Sequence, residues 1–162
     1  MSDNESVAPG LSRRTVTKAA AWAVPAIVFA APVPAFAASS DVAVSITGSC
    51  AGSGPTGSFT FTSGPIPVGQ EIVITLSHSG AGSFGSSVNF VASGMNPYTI
   101  TGTGAAVSGV ITVSFTLPTN GTGRVTATVS SGSGALVSGK LTGFVEKRRD
   151  GNSSNYNQCS AG

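Results

Sequence analysis

Beside its many serines, one histidine, two cysteines and six acidic side chains are the main groups with which this 162-residue chain could do acid–base, nucleophilic or metal chemistry. His78 closes the stretch EIVITLSH and stands beside the glycine-rich SGAGSFGSS. A hydrolase triad built on it would need Asp41 or Asp150 and a serine held on a strained strand-to-helix turn, and no G-x-S-x-G elbow supplies that turn. His78 is therefore expected at a strand end, facing solvent. Glycoside cleavage needs two converging carboxyls, whereas Asp41, Glu71, Glu146 and Asp150 are scattered along the sequence and form no acidic calcium loop. Gly80, Gly82 and Gly85 do not open a helix in a βαβ unit, so they do not read as a phosphate cradle. Two thiols and one histidine are too few for a zinc site at recognisable spacing. The expectation is a chain with no catalytic residue, no metal site and no cofactor.

The front of the chain has a different character. SRRTVTKAAAWAVPAIVFAAPVPAFAASS, residues 12–40, carries Arg13, Arg14 and Lys18, then the soft apolar run Ala19–Ala31, then Ala35-Phe36-Ala37. A positive n-region (1–18), an apolar h-region (19–31) and a small-residue A-x-A site are the parts of a cleaved secretory leader in their usual order. Pro25 interrupts the run, which is well short of the roughly 20 apolar residues that cross a bilayer, so no permanent membrane anchor is expected. Cleavage after Ala37 would make Ala38 the first residue of a 125-residue mature chain, one domain's worth.

Ser12, Arg13, Arg14 and Lys18 resemble the twin-arginine export motif. Val16 stands where that motif usually has a bulkier Phe, and Thr17 where it often has Leu. The long n-region and alanine-rich h-region are similar to leaders of high-GC Gram-positive bacteria. The resemblance covers residues 1 to about 40 and implies the twin-arginine (Tat) translocase and a signal peptidase as partners, with a destination outside the cytoplasmic membrane; an ordinary Sec leader is the alternative and implies export as well. An exported chain with an even cysteine count reads as disulfide-bonded. A Cys50–Cys159 bond would tie the polar tail DGNSSNYNQCSAG to the end of the first strand, closing a loop of about 110 residues that contributes on the order of 4–5 kcal/mol.

Beyond Ala37 the cations Arg124, Lys140, Lys147, Arg148 and Arg149 face the carboxylates Asp41, Glu71, Glu146 and Asp150, for a net charge of +1. Such a surface lacks the basic stripe that nucleic acid requires. EKRRDG intersperses both signs and reads as the solvated end of a last strand, from about 147 onward. LPTNG, residues 117–121, departs from the LPxTG wall-sorting signal at Asn120 and has no apolar segment and basic tail after it. Asn-Gly between alternating strands instead predicts a type I′ hairpin turn.

Period-two alternation dominates this part of the chain, the sign of half-buried strands. In VSGVITVSFTL, Val107, Ile111, Val113, Phe115 and Leu117 share one face. DVAVSIT, GSFTFT, EIVITLSH, SVNFVA, PYTIT, GRVTATVS and LVSGKLTGFVE complete eight candidate strands, with Gly and Pro between them. The pattern predicts an all-β, single β-sandwich over residues 38–162, which resembles bacterial immunoglobulin-like domains in architecture alone. The buried Trp and paired cysteines of antibody domains are not matched, since Trp22, the chain's one Trp, lies in the leader. GAAVSGVIT and GALVSGKLT share residues through composition rather than as a repeat. The expected role is that of an exported, non-enzymatic structural or adhesive domain at the cell surface or outside the cell. Cell-wall polymer or other surface proteins are its expected partners. The alternative is a carbohydrate- or wall-binding module, for which Tyr98 and Tyr156 are the available polar-tipped aromatics while Phe59, Phe61, Phe84, Phe90, Phe115 and Phe144 read as core. A small secreted hydrolase is the remote alternative.

Overall fold

Seven of the eight strands named above form, SVNFVA forms only as far as Asn89, with Phe90 in a bend and residues 91–92 outside the described ones, and two more strands appear. The computed structural model describes residues 41–50, 53–90, 96–151 and 155–162; the residues of the expected export motif and cleavage site, Ser12, Arg13, Arg14, Lys18, Ala35, Ala37 and Ala38, lie outside them. Ten strands run in the order β1 (Val42–Cys50), β2 (Thr56–Ser63), β3 (Glu71–Gly80), β4 (Ser83–Asn89), β5 (Tyr98–Thr101), β6 (Val107–Thr116), β7 (Gly121–Ser131), β8 (Val137–Lys140), β9 (Thr142–Arg149) and β10 (Tyr156–Ala161). They make two five-stranded sheets, here sheet A, ordered β4-β6-β2-β1-β8, and sheet B, ordered β10-β9-β7-β3-β5. The fold is an all-β sandwich, as the alternation predicts, with ten strands rather than eight.

The extra two have physical causes. LVSGKLTGFVE divides at Leu141, because β8 pairs in parallel with β1 in sheet A while β9 pairs with β7 in sheet B. The polar tail is not a fraying end: Tyr156–Ala161 pairs antiparallel with β9, with a bulge between Tyr156 and Gln158.

Alternation along each strand sends one side chain in two to the core. Ile46, Phe59, Phe61, Ile72, Ile74, Ile111, Val113, Val125 and Val145 are fully buried between the sheets, each contributing roughly 1.5–3 kcal/mol through removal of apolar area from water. From β2 to β9 every step along the chain crosses from one sheet to the other. The β3–β4 crossing is made in two residues, and Gly80 and Gly82 both take positive φ, at 91° and 82°, a conformation that costs glycine little. The glycine-rich stretch after His78 is thus a corner between sheets. On the other flank the sheets touch backbone to backbone. A Cβ on Gly48 of β1 would overlap the Phe144 carbonyl of β9, and the Gly162 carbonyl accepts hydrogen bonds from the N–H groups of Gly48, at 3.2 Å, and Phe144, at 2.9 Å.

The connection carrying Asn120-Gly121 differs from the expected hairpin. β6 belongs to sheet A and β7 to sheet B, and neither Asn120 nor Gly121 has the positive φ that a type I′ turn demands. Asn120 instead uses its side chain, whose Oδ1 accepts a hydrogen bond from Gly151 N–H at 2.9 Å and so joins two loops at one end of the sandwich.

Candidate functional site

The groups that could do chemistry are held apart. His78 lies on the inward-facing side of β3 with Ile72, Ile74 and Leu76, half-buried rather than facing solvent. Its ring packs tilted against Phe84 of β4, centroids 5.5 Å apart, and its Nε2 is buried with no hydrogen-bond partner. Glu146 sits 4.0 Å from the Arg124 guanidinium and Asp150 accepts a hydrogen bond from Arg148 Nε at 3.0 Å, both on the outside. Among the described residues no three His, Cys, Asp or Glu side chains are grouped to hold a metal ion.

Cys50 and Cys159 are joined, across 109 positions of sequence and with Cα atoms 5.9 Å apart. The bond runs from the end of β1 to β10 and therefore couples sheet A to sheet B. Its neighbour across the β9–β10 ladder is Lys147, opposite Cys159. Lys147 was expected in solvent and is fully buried. Its Nζ donates to the Gly54 carbonyl at 3.1 Å, and burial pushes its pKa below the usual lysine value. Arg149 Nη1 likewise turns inward and donates to the Leu117 carbonyl at 3.0 Å. Only Arg148 of the three keeps the expected solvent exposure. Strand parity carries the signal for the other two, since Gly143, Val145, Lys147 and Arg149 occupy one side of β9.

Both tyrosines are core residues, Tyr98 at 1% and Tyr156 at 7% exposure. Tyr98 donates its hydroxyl to Ser86 Oγ at 2.8 Å, and Tyr156 to the Phe115 carbonyl at 2.9 Å. Neither offers a ring to a sugar. Phe144, read as core, lies on the outer face of β9 beneath the Arg124 guanidinium, 3.9 Å from its ring centroid.

What remains is surface, and the outer face of sheet A is the most ordered part of it. The ladder registers align its outward side chains in rows across four strands. One row is Ser87, Thr112, Ser58 and Ser49; the next is Asn89, Val110, Thr60 and Thr47; a third runs Ser108, Thr62, Ser45 and Lys140. Gly85, Ser114 and Thr56 form another. Across β4, β6, β2 and β1 this face carries no charged side chain; Lys140, on the edge strand β8, is its one charge. Adjacent rows along a strand are about 6.6–6.8 Å apart and adjacent strands about 4.8 Å. Hydroxyls thus stand on a short, regular grid.

Comparison of the chain with protein-family models, curated protein sequences and solved structures gives no match. The outer face of sheet B supplies the contrast: Thr122, Glu146, Arg148, Gln158 and Ser160 line a shallow depression of about 130 Å³ where charges of both signs meet. A third feature lies where loops 64–70, 102–106 and 132–136 meet, hydrogen-bonded through Gly69 N–H to Gly102 O and Glu71 N–H to Ser133 O. These loops contain no charged residue and expose Val68 and Leu136.

Proposed function

We propose that this chain is an exported, non-catalytic β-sandwich that acts by contact, in a structural or adhesive role at the cell surface or outside the cell. The observation that carries the reading is the hydroxyl grid on sheet A. Ser and Thr side chains are short, so little rotamer entropy is lost when they are immobilised against a partner. Their hydroxyls both donate and accept, and a face without charge meets no repulsion from a neutral, hydroxyl-bearing surface. Wall polymer or the polar surface of a neighbouring protein has that chemistry. The Cys50–Cys159 bond supports an oxidising location such as the cell exterior, and the leader motif supports the same destination.

A carbohydrate-binding module remains the second reading, because the same rows of hydroxyls would serve a polysaccharide. Burial of Tyr98 and Tyr156 favours hydrogen bonding over ring stacking as its mode.

Retention of the purified oxidised domain on insoluble wall preparations and on immobilised surface proteins tests the contact role. Retention should survive high salt, be lost in Thr60→Lys/Thr112→Lys, and persist in Arg124→Ala. Loss of retention in Arg124→Ala, or in salt alone, would move the contact to sheet B, and failure to bind any of these surfaces would overturn the role. Turnover on esterase, protease or glycosidase panels that disappears in His78→Ala would overturn the non-catalytic reading.

A further inference from the structure

Four strands lie at sheet edges, and three of them carry devices that discourage further pairing. β8 is four residues long, contains Gly139 at φ 106° and ends in Lys140. β5 is also four residues long and follows Pro97 directly. β10 is bulged between Tyr156 and Gln158 and is fixed by Cys159. Short length, lysine, proline and bulges are the usual ways in which edges are blunted.

β4 has none of these. It runs for seven residues, Ser83-Phe84-Gly85-Ser86-Ser87-Val88-Asn89, without charge or proline. Its register with β6 is unbroken from Ser83 opposite Thr116 to Asn89 opposite Val110. On its other side, alternate residues of such a strand direct N–H and C=O groups away from the sheet, and no backbone hydrogen bond beyond the β6 ladder joins residues 83–89 to another described segment.

We infer that β4 is a self-pairing edge, and that two copies of this chain associate by antiparallel β4–β4 addition about a two-fold axis through Ser86. One register pairs all seven residues, and it keeps like faces together. Ser83 then stands opposite the second copy's Asn89, Gly85 opposite Ser87, and Phe84 opposite Val88. Phe84 and Val88 are the two half-buried apolar side chains on the inner side of β4, so the pairing covers each with the other, twice. No like charges meet, because β4 has no charge. The contact is isologous and closes on itself as a dimer, with sheet A and its copy forming one continuous ten-stranded sheet. The pairing does not depend on the contact role proposed above; a doubled hydroxyl face, which would raise avidity for a repetitive surface, does.

The experiment is sedimentation velocity of the purified oxidised protein over a concentration series, with engineered partners. Wild type should show a concentration-dependent monomer–dimer equilibrium. Gly85→Lys/Ser87→Lys sets introduced lysines against one another on both sides of the axis and should weaken dimerisation roughly tenfold or more. A Cβ at Gly85 meets nothing within 4 Å, so the variant should fold, which an unchanged circular dichroism spectrum and melting curve would verify. Mixing it with Gly85→Glu/Ser87→Glu should restore a heterodimer. Single-cysteine Gly85→Cys and Ser87→Cys preparations should cross-link to each other, and neither to itself. Monomer at every soluble concentration, a dimer untouched by the lysines, or self-cross-linking in place of mixed cross-linking would each overturn the inference.

Discussion

A line drawn across sheet A from Asn89 to Thr47 passes over Val110 and Thr60; the same step across sheet B, from Ser160 to Ser79, passes over Glu146 and Arg124. Both lines cross strands of one sandwich, above one core. Sheet B carries on or near it nearly every interaction that involves charge: the Arg124–Glu146 pair, the Arg124–Phe144 stack, the Arg148–Asp150 bond, buried Lys147 and inward-turned Arg149. Sheet A presents hydroxyls. The difference shows that these charges fasten β9 to β7 and to the loops at Gly54 and Leu117, while the outer face of sheet A stays almost neutral. On the contact role proposed above, stability and contact belong to different sheets, and substitutions should separate them.

The largest effect should come from the staple. Cys50→Ser/Cys159→Ser removes up to about 4–5 kcal/mol of stabilisation, read as a lower melting temperature and faster amide exchange in β10, while retention on the contact surface stays at the wild-type level. Loss of retention in a folded double variant would tie the two sheets together functionally. Next is Tyr156→Phe, which removes the hydroxyl that bonds the Phe115 carbonyl and faces Leu117 N–H; denaturant titration should show a loss of about 1–2 kcal/mol.

Lys147 gives a pH signature. Burial lowers its pKa in the folded chain, so between that lowered value and the unfolded value of about 10.4 the unfolded chain binds more protons and stability rises with pH. Below that lowered value the burial penalty on the ammonium is fully present. Lys147→Met removes this slope, and the advantage of wild type over the variant should grow as pH rises through the alkaline range. Parallel profiles would show an ammonium as well solvated folded as unfolded. The smallest effects belong to the surface: Arg124→Ala should cost less than about 1 kcal/mol, since the pair is exposed, and Thr60→Lys/Thr112→Lys should change stability by a similarly small amount while abolishing contact.

The sandwich was legible because alternation survives in almost every strand; β6, with Ile111, Val113 and Phe115 on one side, could be read from its letters. The tail could not. Its bulge brings Tyr156 and Cys159 to one side at a spacing of three, which erases the period-two signal in YNQCSA. Lys147 was hidden by its type: parity points inward, composition outward, and a carbonyl at Gly54 decides for parity. Membership of a sheet is a further property that single strands do not encode, so Asn120-Gly121 resembles a hairpin turn although it joins two sheets. The hydroxyl rows were present in the sequence only as Ser and Thr abundance; the ladder registers made them a grid.

The alternation of the chain between sheets also governs when this molecule can exist. Apart from the β1–β2 pair, sheet A is completed by strands that arrive late: β2 waits for β6, and β1 waits for β8. Sheet B waits longer still, because β3 needs β7 and β7 needs β9. Pairings of this span make folding slow relative to helical chains of equal size. A nascent chain emerging from the ribosome can pair β1 with β2 and β3 with β5 early, but β4 has no partner until β6 emerges and β1 and β7 lack their second neighbours until β8 and β9 do, so open edges must be kept from aggregating over that interval. Closure of the sandwich is an event that awaits β8 and β9.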